Sequence, residues 1–149
     1  MAIHIENRRA RHEYFILETF EAGVMLSGTE VKSLREGKCQ LLDAYVAIEK
    51  GEAWMRNVRI DEYTPGNRWN HLHSRARKLL MHTKEIEHIG RSVDRKGLTV
   101  IPLEVYFKGS WAKVKVAICK GKAEHDKRQT KIAQDHKREI DRAMKKALR

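Results

Sequence analysis

Ile101-Pro102-Leu103-Glu104-Val105-Tyr106-Phe107-Lys108-Gly109-Ser110-Trp111-Ala112-Lys113-Val114-Lys115-Val116-Ala117-Ile118 is the stretch that decides the fold class. Its second half places Ala112, Val114, Val116 and Ile118 at every other position, with Trp111, Lys113, Lys115 and Ala117 between them. That period of two belongs to a half-buried strand. Its first half repeats Ile101, Leu103, Val105 and Phe107 on one face, and Lys108-Gly109-Ser110 supplies a short turn, so the two halves predict a β-hairpin. Pro102 has no N–H to give to a ladder, which predicts an edge position or a bulge there.

Outward from this hairpin the chain stays strand-rich. Ala44 to Glu49, a Lys50-Gly51 turn and Ala53 to Ile60 read as a second hairpin. A further strand is predicted from Glu13 to Phe20, with Val24-Met25-Leu26 continuing after a Glu21-Ala22-Gly23 turn. Two helices interrupt the strands. Ser27 caps the first, with Glu30 completing a capping box and Gly37 ending it, so that Val31 and Leu34 face the core. The second starts near Thr83 and carries Ile86, Ile89 and Val93 on one stripe. Five or six strands and two or three short helices in about 120 residues predict a mainly β fold, a small closed antiparallel barrel.

The chain has 149 residues, a length for one domain, and 41% hydrophobic residues, enough for a core. No apolar run approaches the roughly 18 residues of a membrane span, and no charged-then-apolar leader opens the chain. Two cysteines, Cys39 and Cys119, are too few for a disulfide framework and point to a reducing cytoplasm. The 31 Lys and Arg against 20 Asp and Glu give a net charge of +11, which calls for a polyanionic partner. Residues from Lys120 onward carry +6 of it in about a fifth of the chain, with no aromatic residue, no proline and no glycine after Gly121. The organisation read from this is a body over residues 1–120 and a basic tail over 121–149. In the tail Ile132, His136, Ile140, Met144 and Leu148 recur every four residues. A four-residue step winds around a helix and leaves only a narrow apolar stripe. The tail is therefore expected to be disordered alone and to become helical when phosphates neutralise its cations.

Catalytic and metal chemistry have little to stand on. His71, His73, His82 and His88 lie in one region, but there is no paired cysteine spacing and no HExxH, so no metal is expected. His12 beside Glu13 could do acid–base work on a phosphodiester, yet nothing places a second histidine opposite it. No phosphate-cradling loop or nucleophile elbow occurs, and neither enzymatic activity nor a cofactor is expected. Basic clusters carry the stronger signal. Arg8-Arg9-Ala10-Arg11 lies near the start; Arg75-Ala76-Arg77-Lys78 enters a strand in which Arg75, Arg77 and Leu79 share one face and Lys78 and Leu80 the other. Arginine's planar fork suits phosphate, and aromatics such as Tyr14 or Tyr45 suit stacking of exposed bases. RNA or DNA contact follows.

Taken in order, the motifs resemble the bacterial SsrA-binding protein family, also called small protein B. The resemblance rests on Asn7-Arg8-Arg9-Ala10-Arg11-His12-Glu13-Tyr14, Phe20-Glu21-Ala22-Gly23 and Gly28-Thr29-Glu30-Val31-Lys32-Ser33-Leu34-Arg35. It continues in Arg77-Lys78-Leu79-Leu80, Lys96-Gly97-Leu98-Thr99-Val100-Ile101-Pro102-Leu103, and Lys120-Gly121-Lys122 with His125-Asp126-Lys127-Arg128. The chain departs from the family at Leu72-His73, where Asp-Pro is common, and at Ala123, where a lysine is common. The resemblance implies an OB-fold-like barrel with a basic C-terminal tail and no catalytic activity. It implies binding to the transfer-RNA-like domain of transfer-messenger RNA (tmRNA), as a monomer one to one with the RNA. The complex is then delivered to stalled ribosomes, where the tail enters the small-subunit decoding region. By motif, Asn7, Tyr14 and Glu21 fall on the RNA-holding surface, with Arg8, Arg9, His12, Lys32, Arg35, Arg75, Arg77 and Lys78 as its neighbours. Lys120, Lys122, His125, Asp126, Lys127 and Arg128 match the decoding-site tail. The reading that competes with this is a general ribosomal or single-stranded RNA binder on the same barrel.

Overall fold

Glycines at positive φ close both predicted hairpins in the computed structural model, which describes residues 3–63, 65, 70–72, 74–94, 97–122 and 124–147, without the side chains of 124–127, 129 and 130. Gly109, at φ +64°, turns β8 (Leu98–Lys108) into β9 (Trp111–Gly121), and Lys108 pairs directly with Trp111. Lys50 and Gly51, at φ +50° and +75°, turn β4 (Tyr45–Glu49) into β5 (Glu52–Arg56). Two central residues of positive φ match the right-handed twist of the flanking strands.

The remaining strands are β1 (His4–Glu6), β2 (Tyr14–Val24), β3 (Cys39–Gln40), β6 (Arg59–Ile60) and β7 (Arg77–Leu80). Seven strands form one antiparallel sheet in the order β1-β8-β9-β2-β7-β5-β4, while β3 and β6 pair as a separate ribbon. The fold is mainly β, as expected, but the barrel is not closed. The sheet ends at β1 and β4; it curls until β4 lies against β8, yet no ladder joins that pair among the described residues. Residues 53–60 are also not one strand, because Asn57, at φ +60°, breaks the run and sends Arg59–Ile60 to pair with Cys39–Gln40.

Bulges explain where the side chains go. The ladder slips between Pro102 and Glu104 in β8 and between Ile16 and Glu18 in β2. A one-residue slip moves every later side chain to the other face. Val100, Val105 and Phe107 therefore meet the main core with Val114, Val116 and Ile118, while Ile101 and Leu103 face the opposite side with Ala117 and Cys119. The predicted shared face of Ile101, Leu103, Val105 and Phe107 is split by the bulge predicted at Pro102. A turn at Glu21-Ala22-Gly23 does not form: β2 runs through it, with Glu21, Ala22 and Gly23 paired to Lys115, Val114 and Lys113.

Helix α2 (Gly28–Arg35) has the predicted capping box from Ser27 and Glu30, and Gly37 follows it at φ +77°. Helix α3 (Thr83–Val93) buries Ile86 and Ile89 in the main core, but Val93 is exposed beyond the end of the buried stripe. Helix α1 (Arg8–Glu13), absent from the sequence expectation, seats Ala10 on the small second cluster of Ile101, Leu103, Ala117 and Cys119. Cys39 edges the main core instead; burial pushes its thiol up to about 12 and that of Cys119 up to about 11. Helix α4 (Glu124–Ala147) gives the tail its helical form, the alternative to disorder, and every one of its described side chains is exposed. Leu148, the end of its predicted stripe, lies outside the described residues. No described helix is long and apolar enough to cross a membrane.

Candidate nucleic-acid interface

Helix α1 is six residues long and needs its caps. Asn7 provides the first: its Oδ1 accepts from the Ala10 N–H at 3.2 Å, while its Nδ2 donates to the Leu41 and Pro102 carbonyls at 3.0 and 3.3 Å. Asn7 is 4% exposed and holds together α1, the loop before β4 and the bulge of β8. Asn7→Ala is expected to cost about 1–3 kcal/mol, since it strands buried backbone groups. Urea denaturation checks this, with any loss of nucleic-acid affinity following the loss of α1.

Around that joint the helix displays Arg8, Arg9, Arg11 and His12 to solvent. Arg9 donates to Glu13 at 2.8 Å and stands 3.8 Å from Asp43; Arg11 donates to Glu104 at 3.0 Å. Tyr14 begins β2 immediately beyond. At the other end of the helix Lys122 donates its backbone N–H to the Glu13 carbonyl at 2.8 Å and its Nζ to the Arg11 carbonyl at 3.3 Å. Its ammonium also lies 5.0 Å from the Phe15 ring centre. A cation on the last carbonyls of a helix is favourably placed against the helix dipole. The start of the tail is thereby fastened to the Arg-bearing helix, with exposed Lys120 opposite Phe15 in the ladder.

Glu21 stands apart, seven residues along β2, on the outward face. Tyr106 Oη donates to its Oε2 and Lys108 Nζ to its Oε1 at 3.4 Å. The Tyr106 hydrogen bond, with Lys108 and Lys113 behind it, holds the Glu21 carboxyl below the usual carboxylate range despite some desolvation. Burial and the Glu21 contact push the Tyr106 phenol up to about 12. Tyr106 and Lys108 were not among the predicted residues. The signal was there, since positions 104, 106 and 108 alternate with an apolar set.

A third group surrounds α2 and β7. Lys32 lies over Tyr63 and Arg35 over Phe107, at 5.4 and 4.6 Å from the ring centres, with both cations exposed. Lys78 is half-buried and 3.3 Å from Glu52. Arg77 does not belong with these surface cations. It is fully buried, donating to Glu30 and, at 2.7 Å, to the Val58 carbonyl, while Arg75 grips the same Glu30 carboxylate from its half-exposed position. The phosphate contact expected of Arg77 is ruled out by burial, because it points inward with Leu79. In the tail Arg128 is exposed, the side chains of His125, Asp126 and Lys127 lie outside the described set, and the three are placed only as residues of α4.

Among the described residues the histidines of this region do not converge. His71 donates from Nε2 to the Ile60 carbonyl at 2.9 Å and shares its Nδ1 with the Thr29 hydroxyl at 2.8 Å, so both ring nitrogens are taken up within the protein. His88 meets Glu18 at 2.7 Å, His82 precedes α3, and His73 lies outside the described residues. His12 is exposed. Among the described residues His4, Glu6 and Glu104 do come within 4.8 Å of one another, but they are ion-paired on the β1–β8 surface, with Arg11 on Glu104.

Comparison with known proteins bears on what this surface serves. The family model described as SmpB protein matches residues 4–146. An SsrA-binding protein of Pelotomaculum thermopropionicum is 51% identical over 151 aligned positions, covering 100% of this chain and 99% of that one. Another, from Shouchella clausii, is 49% identical over 144, covering 97% and 92%. A chain of the solved structure "tmRNA-SmpB: a journey to the center of the bacterial ribosome" superimposes with a TM-score of 0.70 at 45% identity, covering 81% of this chain and 85% of that one. The charged helix α1, the Glu21 cluster and the tail motif are thus carried by a chain that belongs to the SmpB protein family.

Proposed function

We propose that this chain binds the transfer-RNA-like domain of tmRNA, one to one, and accompanies it to stalled ribosomes in trans-translation. The observation that carries this reading is the near full-length likeness to SsrA-binding proteins and to the chain solved with tmRNA on the ribosome. The geometry supports it with cations on α1, on α2 and at Arg75 and Lys78, and with a basic helix whose described side chains are exposed. Residues 1–120 act as an OB-like binding body through Arg8, Arg9, His12, Tyr14, Glu21, Lys32, Arg35, Arg75 and Lys78, with Asn7 and Arg77 holding those residues in place. Residues 121–149 act as a tail whose Lys120, Lys122, His125, Asp126, Lys127 and Arg128 reach the decoding region. The role is binding rather than catalysis, and the place of action is the cytoplasm, where ribosomes are.

Competition binding at fixed, moderate salt tests it. The folded transfer-RNA-like domain should displace an unstructured strand of equal length, whereas equal affinities would favour a general single-strand binder. Within this reading Glu21→Ala should weaken binding by about 1–3 kcal/mol. Its carboxylate cannot attract phosphate but can accept from base amino groups or 2′-hydroxyls. Tyr106→Phe should lose less, since only the hydrogen bond orienting Glu21 goes. An unchanged dissociation constant with an intact circular dichroism spectrum would remove Glu21 from the interface.

A further inference from the structure

A hollow of about 210 Å³ opens beside α1, walled by Tyr14 and Tyr45 and floored by Ala10 and Ile101. It is smaller than the roughly 300–1,000 Å³ of clefts that take drug-sized ligands, and suits one planar ring. The floor is firm, because Ala10 and Ile101 are 3% and 5% exposed and pack in the second cluster with Tyr14 against it. The mouth is different in kind. Glu13 and Asp43 stand on it with Arg9 between them, 2.8 and 3.8 Å away, and Thr99 belongs to its lining. Asp43 sits on the Leu41–Ala44 turn with a side chain 77% exposed. An ionised carboxylate accepts about four hydrogen bonds, so the long contact to Arg9 leaves Asp43 ample capacity.

Aromatic walls, an apolar floor and an acceptor-rich rim in a strongly basic protein specify a ligand. We propose that the hollow takes one unstacked nucleobase of the bound RNA, guanine by preference, with its ring against Tyr14 and Tyr45 and its Watson–Crick edge donating to Asp43. This rests on the RNA-binding reading above and adds to it a pocket and a base. Guanine is the base whose N1–H and N2–H₂ donors lie side by side and meet both oxygens of one carboxylate. Adenine and cytosine present an acceptor next to their single amino group, and uracil flanks its one donor with two carbonyls. Stacking on tyrosine is indifferent to base identity, so affinity comes from the walls and selectivity from the rim. Arg9, held across the mouth by its two carboxylates, is positioned for the phosphate of the same nucleotide.

The full-length chain, titrated with the hexaribonucleotides UUGUUU, UUAUUU, UUCUUU and UUUUUU at one salt concentration, tests this. UUGUUU should bind about tenfold tighter than UUUUUU, and amide shifts should centre on Ala10, Asp43, Tyr45 and Thr99. Asp43→Asn should erase the ratio between the two; the ratio is the readout because removing a negative charge raises affinity for any RNA. Tyr45→Ala should weaken all four hexamers and Tyr45→Phe should restore them. Equal affinities for the four bases, no binding at millimolar RNA, or shifts that leave Ala10, Asp43, Tyr45 and Thr99 unmoved would overturn the pocket. Wild-type binding to the transfer-RNA-like domain separates the two claims. If it is tight and unaltered by Tyr45→Ala, the pocket alone falls; if it is absent, the RNA-binding reading falls with it.

Discussion

Arg77→Ala should lower the unfolding free energy by about 3–5 kcal/mol, while Lys78→Ala, one residue along the same strand, should change it by no more than about 0.5. The asymmetry follows from where the two side chains go. Arg77 is fully buried with Glu30, itself fully buried, and donates also to the Val58 carbonyl; its removal leaves the Glu30 carboxylate with less compensation in the interior. Arg75 still grips Glu30, but from a half-exposed position. The double change Arg77→Met with Glu30→Gln should recover part of the loss, since replacing both charges removes the uncompensated one. Urea midpoints decide it, and a midpoint of Arg77→Ala equal to that of wild type would mean the pair contributes nothing net. The same carboxylate sets an acid limit. Burial alone would raise the Glu30 pKa, but hydrogen bonds from Arg75, the Ser27 amide and Arg77 outweigh it and hold the group below its ordinary value. A carboxyl depressed in the folded state contributes stability in full above its unfolded pKa of about 4.3, and that contribution is lost as pH falls toward the folded pKa. Wild type should therefore lose stability below about pH 4.3 more steeply than Glu30→Gln.

Ending the chain after Lys122 should abolish tagging on stalled ribosomes while leaving affinity for the transfer-RNA-like domain nearly intact. The described side chains of α4 are exposed, so the body loses little packing when the helix goes. Lys122 stays, and with it the bonds to the Glu13 and Arg11 carbonyls that close α1. What is removed is a set of cations, among them Lys131, Lys137, Arg138, Arg142, Lys145 and Lys146, that would neutralise ribosomal RNA phosphates and release counterions. Ribosome association should accordingly become less salt-dependent in the truncated chain. Full tagging by that chain would remove the tail from the mechanism, and a large drop in affinity for the isolated RNA domain would place it in the first binding step instead.

Local chemistry made both hairpins and the α2 cap legible. Gly51 and Gly109 mark turns that few other residues fit, and Ser27 with Glu30 forms a box readable at a spacing of three. Slips of register were harder. Pro102 announced a bulge, but only the ladder shows that the slip sends Ile101 and Leu103 away from Val105, and nothing as plain as a proline marks the slip at Ile16. Arg77 is the instructive case at the site. Its parity with Leu79 already put it on the inward face, and a charge count that ignored parity put it on the RNA. Helix α1 was hidden because Arg8-Arg9-Ala10-Arg11 reads as a charge cluster, although Asn7 is a good N-cap and Ala10 a good helix former. The Glu21 turn failed because Gly23 suggested a break where it instead lets Leu80 of the neighbouring strand come close, 3.3 Å from where a Cβ would stand.

The fastening of Lys122 to α1 makes the body a gun mount. Helix α4 spans 24 residues, a rod of about 36 Å at 1.5 Å per residue. A swing of about 10° at such a root displaces the far end by roughly 6 Å, more than one helical turn of rise. The far end is therefore sensitive to small movements near the root, where Lys122 makes two hydrogen bonds to the carbonyls of a six-residue helix. If Arg8 and Arg9 seat on RNA as proposed, one six-residue helix would serve both the grip and the root of the rod.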